Sequence, residues 1–193
     1  RDWRNRNMIK TPNGKKWLTI PVQSKGKFEQ SIAETKVSDI NWSKDHWKSI
    51  QMNYSGAPFF KEISNFIEPL YEMKHTNLSM INSIFIKEIC NYLNIKTLIS
   101  HSSQFSIKGD KSQRLVNICI EAGANYYVSG PSAKDYLDTD LFENYNIEVE
   151  WFKYGEYPSY SQLWGPFESH VSIIDTLFNC GPETSKHLKK CII

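Results

Sequence analysis

Seven residues at the start of the chain, Arg1-Asp2-Trp3-Arg4-Asn5-Arg6-Asn7, gather the groups best suited to gripping an anion. In an extended segment side chains alternate between faces, so Arg4 and Arg6 are expected to project together, with Trp3, Asn5 and Asn7 opposite. Two neighbouring guanidiniums hold phosphate or carboxylate in a bidentate way. A solvated basic edge strand is the plainer account of the same pattern. Arg4, Asn5, Arg6 and Asn7 form the first candidate substrate-binding group. No Met precedes them, so the chain reads as the interior of a longer protein or as a processed form.

Further candidates lie in polar loops. Ser100-His101-Ser102-Ser103 and Ser129-Gly130-Pro131-Ser132 are rich in hydroxyls and backbone amides. Gly130 lets a ligand approach the backbone, and Ser129 or Ser132 can donate to an oxyanion. The bland account is that such residues make turns and caps. His101 is the candidate general acid or base, because imidazole titrates near neutrality. Tyr136 sits just after the second loop. Nearer the end, Tyr160 and Gln162 can hydrogen-bond a sugar, and aromatic faces stack on its ring. Asp175 interrupts the apolar helical pattern of Ile174, Leu177 and Phe178, either as a site acid or as a buried partner for an arginine. His46, beside Trp42 and Trp47, reads as a packing residue.

The elements that must position these groups follow from periodicity. Residues 15–22 read as a strand that 32–37 can pair with, after the turn signal Pro12-Asn13-Gly14. Trp47, Ile50 and Tyr54 recur at helical spacing, as do Ile63, Phe66, Ile67 and Leu70, with Pro69 expected to end or kink that second helix near its last turn. A third helix starts at Asn77 as N-cap and buries Leu78, Ile81, Phe85, Ile89 and Tyr92. Strands are expected at 95–100, 126–129 and 147–153, joined by a helix over about 111–122 that Asp110 and Gln113 open as a capping box. Leu115, Ile118 and Cys119 are its apolar face. The fold class is α/β: a parallel sheet with a βαβαβ unit over about 95–153, and a helical insertion over about 41–93. Ligands of such sheets bind at the carboxyl ends of the strands, so the loops 100–103, 129–132 and 157–162 are expected around one cleft.

With 193 residues, 40% of them hydrophobic and 13% aromatic, one globular domain spanning 1–193 is expected. A net charge of +2 argues against nucleic acid as a partner, although Arg4, Arg6 and the aromatics would suit a single strand. No apolar run is long enough for a membrane span. The four cysteines show no C-x-x-C pair and no His at zinc spacing, which points to thiols, no metal and a cytoplasmic setting. No Walker or dinucleotide glycine pattern is present, and the cofactor is left unknown.

Several segments in one consistent order resemble the WbqC-like family of bacterial proteins. They are Trp3-x-Asn5-Arg6-Asn7 with Trp17-Leu18-Thr19-Ile20-Pro21-Val22, then Trp42-Ser43-Lys44-Asp45-His46, Asn53-Tyr54-x-x-Ala57-Pro58-Phe59-Phe60 and Arg114-Leu115. Tyr127-Val128-Ser129-Gly130, Tyr136-Leu137, Tyr160-x-Gln162, Ser172-Ile173-Ile174-Asp175 and Asn179-Cys180-Gly181 complete the set. The resemblance implies a setting among genes for O-antigen (lipopolysaccharide) and other surface polysaccharides. It also implies an N-terminal strand–loop–helix that this chain lacks. On that basis the expected function is a transferase acting on a nucleotide-linked or otherwise activated sugar. A non-catalytic binding or scaffold protein for other polysaccharide-biosynthesis enzymes is the competing expectation.

Overall fold

The computed structural model describes residues 3–27, 29–155 and 157–188. The chain divides into two compact units, one from the described residues within 1–96 and 157–189, the other from those within 97–156.

The first unit begins with a hairpin of β1 (Arg6–Thr11) and β2 (Gly14–Thr19), registered from Arg6 opposite Thr19 to Thr11 opposite Gly14. Gly14 supplies the positive φ of the tight turn, at 95°. The Thr11 hydroxyl closes that turn by donating to the Gly14 carbonyl at 2.8 Å. Alternation along β1 buries Ile9 in the core, while Lys10 projects from the opposite face of the strand. Beyond β2 the strand pattern expected to reach Val22 survives as a single antiparallel bridge, Val22 to Val37.

Three helices follow: α1 (Trp42–Tyr54), α2 (Phe60–Glu72) and α3 (Leu78–Tyr92). The helical segment expected over about 41–93 is therefore present, and it forms the bulk of the first unit. Asn77 caps α3 as anticipated, accepting from the Met80 amide at 2.9 Å. Pro69 lies in the last turn of α2, which ends at Glu72. The stripes of α1 and α2 meet those of the last helix, α6 (Ile173–Cys180), in one core holding Ile9, Ile50, Ile63, Ile67, Leu177 and Phe178. The Phe178 ring lies 5.2 Å from both Tyr54 and Phe60. Gly181 terminates α6 with φ 52°, and a Cβ there would overlap the Phe59 ring. Two constraints thus require glycine at that position.

In the second unit α4 (Lys111–Glu121) leads into β3 (Tyr126–Ser129), and α5 (Thr139–Glu143) into β4 (Glu148–Trp151). The strands pair in parallel from Tyr126 opposite Glu148 to Ser129 opposite Trp151. The expected sheet is realised only as this pair. Residues 95–100 form no strand: they are exposed coil, with Leu98 87% accessible. Their apolar and β-branched residues are a local signal, and without a neighbouring strand they have no ladder to join. Asp110 caps α4 by accepting from the Gln113 amide at 2.9 Å, but the Gln113 side chain turns to Asn117 instead of completing a capping box. α4 packs through Val116 and Cys119, with Leu115 at the margin, against Leu137, Phe142 and Ile147. Among the described residues, no helix is long and apolar enough to cross a membrane.

Candidate functional site

The first unit holds a cavity of about 320 Å³ whose lining includes Trp3, Arg4, Asn5, Arg6 and Asn7. The apolar part of its wall comes from Ile9, Leu18, Phe85 and Ile89, the polar part from His46, Asn82 and Ser172 as well as the opening segment. Regular strand geometry starts only at Arg6, because Trp3 and Arg4 form a turn and Asn5 a bend. The alternation expected for Arg4 and Arg6 therefore does not extend back to Arg4. Each arginine is held by a tryptophan. The Arg4 guanidinium lies 4.7 Å from the Trp3 ring, and that of Arg6 lies 4.1 Å from Trp17, its diagonal neighbour across the hairpin. Asn5 is buried and ties the segment down, its side-chain amide donating to the Ile20 carbonyl at 2.9 Å. The Asn82 amide likewise donates to the Arg4 carbonyl at 2.9 Å. The Arg6 Nε is shielded from solvent and has no hydrogen-bond partner among the described residues. A buried donor of a permanent cation, facing no acceptor, is a place where a ligand oxygen would be stabilised.

The start of a helix further favours an anion there, and a histidine borders the same cavity. Ser172, Ile173 and Ile174 bring the N-terminal end of α6 to the cavity wall, and a helix start carries partial positive charge. His46, one helical turn after Trp42, packs its ring edge-on to Trp42 at 5.0 Å and contacts the Thr19 carbonyl through Nε2 at 3.0 Å. Burial pushes its pKa below the ordinary imidazole value of 6.5, so the ring is neutral at pH 7. Nε2 donates to the carbonyl, which leaves Nδ1 as the proton-accepting nitrogen.

Behind the cavity wall, one residue further along both β1 and α6, runs a buried polar network. Asp175 is 1% exposed. Its carboxylate accepts from the Tyr54 hydroxyl, the Tyr160 hydroxyl and the Gln162 amide, each at 2.8 Å, and from Asn179 at 3.3 Å. No arginine is among these partners; hydroxyls and amides take the role expected of one. Gln162 is the second hub: its Oε1 accepts from Lys10 Nζ at 2.6 Å and from the Glu168 amide at 2.8 Å. Lys10 is itself buried and also donates to the Pro166 carbonyl. Burial, followed by the nearby Asp175 charge, raises the Tyr54 and Tyr160 hydroxyls well above the ordinary phenol value. Both tyrosines therefore stay protonated as donors. Glu168 binds Lys15 at 2.9 Å, and that contact, with the His170 amide, lowers its carboxyl to about 2.

The structure thus brings together Asp175, Tyr160 and Gln162 in one network, and Arg4, Asn5, Arg6 and Asn7 at one cavity. The other candidates belong to the second unit. Ser129 ends β3, where its carbonyl accepts from the Phe152 amide at 2.8 Å. Gly130 precedes a 3-10 turn over Pro131–Asp135 that includes the exposed Ser132, and Tyr136, also exposed, follows it. His101 is exposed, its backbone amide donating to Gln104 at 3.0 Å. Serines as turn and cap residues are what the plainer account of these loops anticipates.

Sequence reasoning missed Lys10, Asn82 and the cavity role of His46. The spacing of Trp42 and His46 on one helix face was the available signal for the last. Lys10 carried none, because a lysine in a strand ordinarily reads as solvated. Cys90, Cys119 and Cys180 are free thiols, and burial raises Cys180 to about 11; Cys191 lies outside the described residues.

Comparison with known proteins adds one consistent result. The model of the WbqC-like protein family matches residues 1–187. The Mycobacterium tuberculosis protein named "Uncharacterized protein Rv1507c" is 47% identical over 192 residues, covering 99% of this chain and 83% of that protein. No solved structure matches.

Proposed function

The chain belongs to the WbqC-like protein family, and we propose that its first-unit cavity binds a phosphate-bearing activated sugar for a group-transfer reaction in bacterial surface-polysaccharide biosynthesis. The observation that carries this reading is the solvent-shielded Arg6 Nε without an acceptor, beside Arg4 and the start of α6. A phosphate oxygen supplies the acceptor that the described residues do not. Asn5, Asn7 and Asn82 offer amides of the kind that orient hydroxyl-rich ligands, and the apolar wall accommodates a less polar portion of the ligand or of its acceptor.

In this reading His46 accepts a proton from the attacking group, because it is neutral at pH 7 and borders the cavity. Asp175, Tyr54, Tyr160, Gln162 and Lys10 brace α6 and β1, whose preceding residues, Ile174 and Ile9, form the wall. They position the site without touching the ligand. The polysaccharide setting rests on the family resemblance, and the transfer chemistry on the match between an anion grip and an adjacent neutral base.

The test is equilibrium binding of nucleotide sugars to the protein, followed by mass spectrometry of mixtures with candidate acceptors. Arg6→Gln is expected to weaken binding at least about tenfold, the scale of one charge-assisted hydrogen bond. Its stability should change by no more than about 1 kcal/mol, the value of an exposed cation–π contact. Unchanged affinity in Arg6→Gln would refute the anion grip. Binding with no transferred product would place the chain among scaffold or carrier proteins of the same process.

A further inference from the structure

A second groove, independent of the cavity, lies in the other unit. It measures about 470 Å³ and is lined by Thr139 and Glu143 of α5 and by Asn146, Ile147, Glu148, Val149 and Trp151 around β4. Successive residues of a strand point to opposite faces, so a groove lined by consecutive ones follows the strand's edge. Hydrogen bonding agrees. The Glu148 amide donates to Asn125 and the Phe152 amide to Ser129, both at 2.8 Å on the β3 side. By the two-residue period, Glu148, Glu150 and Phe152 direct their backbone groups to β3, whereas Val149 and Trp151 direct theirs to the other edge. The sheet has only two strands, so among the described residues no strand pairs with that edge.

The geometry points to β4 as a docking edge for an extended basic peptide, which would add a third strand. A two-stranded parallel sheet is an unusual end state, since parallel sheets are ordinarily larger and covered. Charge selects the occupant. The groove lining carries two carboxylates, Glu143 and Glu148, and no lysine or arginine. Alternation selects the pattern: a paired strand would set one row of side chains beside Glu148 and Glu150, and the other beside Val149 and Trp151. Lysine or arginine alternating with β-branched residues fits both rows. Acidic side chains along this edge also deter pairing with unselected strands, which makes the edge selective.

The probe is a blocked, fluorescein-labelled octapeptide of alternating Lys and Val, titrated into the full chain and read by anisotropy. Saturable binding is expected. It should weaken at least about tenfold when alternate peptide amides are N-methylated, because main-chain bonds supply affinity in strand addition. The double variant Glu143→Gln/Glu148→Gln should weaken it by about fivefold or more, with a shallower salt dependence. Val149→Pro, which removes an outward-pointing amide, should weaken it as well. Absence of saturable binding would overturn the proposal. So would equal affinity for the N-methylated peptide or for its Glu–Val counterpart, or an edge found occupied by a second copy of the chain in sedimentation experiments.

Discussion

The two units of this protein use polar residues in opposite ways. In the first, ionisable and amide groups are buried and answered by one another: Asp175 collects four donors and Gln162 links Lys10 to it, while among the described residues Arg6 Nε at the cavity and Ser64 Oγ in α2 are left without a partner. In the second, Ser132 and His101 lie at the surface, around a small apolar core of Val116, Phe142 and Ile147. Burial is what makes the difference count. A polar group in low dielectric is worth far more when satisfied, and costs far more when orphaned, than the same group in water. The single unanswered donor at a cavity is therefore informative, whereas exposed serines are not.

The largest test of this contrast is Asp175→Ala. It removes the shared acceptor of Tyr54, Tyr160, Gln162 and Asn179, and should destabilise the first unit by about 3–5 kcal/mol, the scale for breaking a buried charged network. Denaturant titration followed by tryptophan fluorescence measures it, and a loss below 1 kcal/mol would mean that water replaces the carboxylate and the network is not closed. Asp175→Asn retains part of the acceptor capacity and should fall between.

A smaller effect is expected from pH. His46 is held below its ordinary pKa by burial, so just below pH 6.5 the unfolded chain binds more protons at this site than the folded one. Stability therefore declines as pH falls from 6.5 through the folded value, and is fully retained above 6.5. Comparing melting temperatures at pH 7.5 and 5.5 for the protein and for His46→Gln isolates this contribution. An identical slope in both would show that His46 is solvated or paired in some other way. Glu168 adds a separate dependence: with its carboxyl lowered to about 2, its contribution is lost only as pH falls from about 4.5 toward that value. Lys15→Gln should remove most of it.

The smallest changes belong to the second unit's loops. His101→Ala and Ser132→Ala, both at exposed positions, should each alter stability by no more than about 0.5 kcal/mol. They should also leave nucleotide-sugar binding as it is. A tenfold loss of affinity in either variant would mean that the ligand site includes residues of the second unit.

Much of the local structure was legible in residue order. The turn at Pro12-Asn13-Gly14, the helical stripes from Trp47 to Tyr92, and the caps at Asn77 and Asp110 are short-range events, written by φ preferences, periodicity and side-chain acceptors within three or four residues, whereas the pairing of β2 with β1 instead of residues 32–37 is not. Asp175 stands out in the sequence as a carboxylate within an apolar helical stripe, and the fold buries it against Tyr160 and Gln162. What pairs with what was not legible. Residues 95–100 carry the apolar and β-branched residues of a strand yet form none, since a strand exists only when another supplies its ladder. Asp175 meets Tyr54 across 121 positions of sequence, and Lys10 meets Gln162 across 152. Contacts at that separation depend on how helices and hairpin close around a shared core. Tertiary structure alone decided that Asp175 sits among hydroxyls instead of beside an arginine, that Lys10 is buried, and that Arg6 keeps one donor unspent.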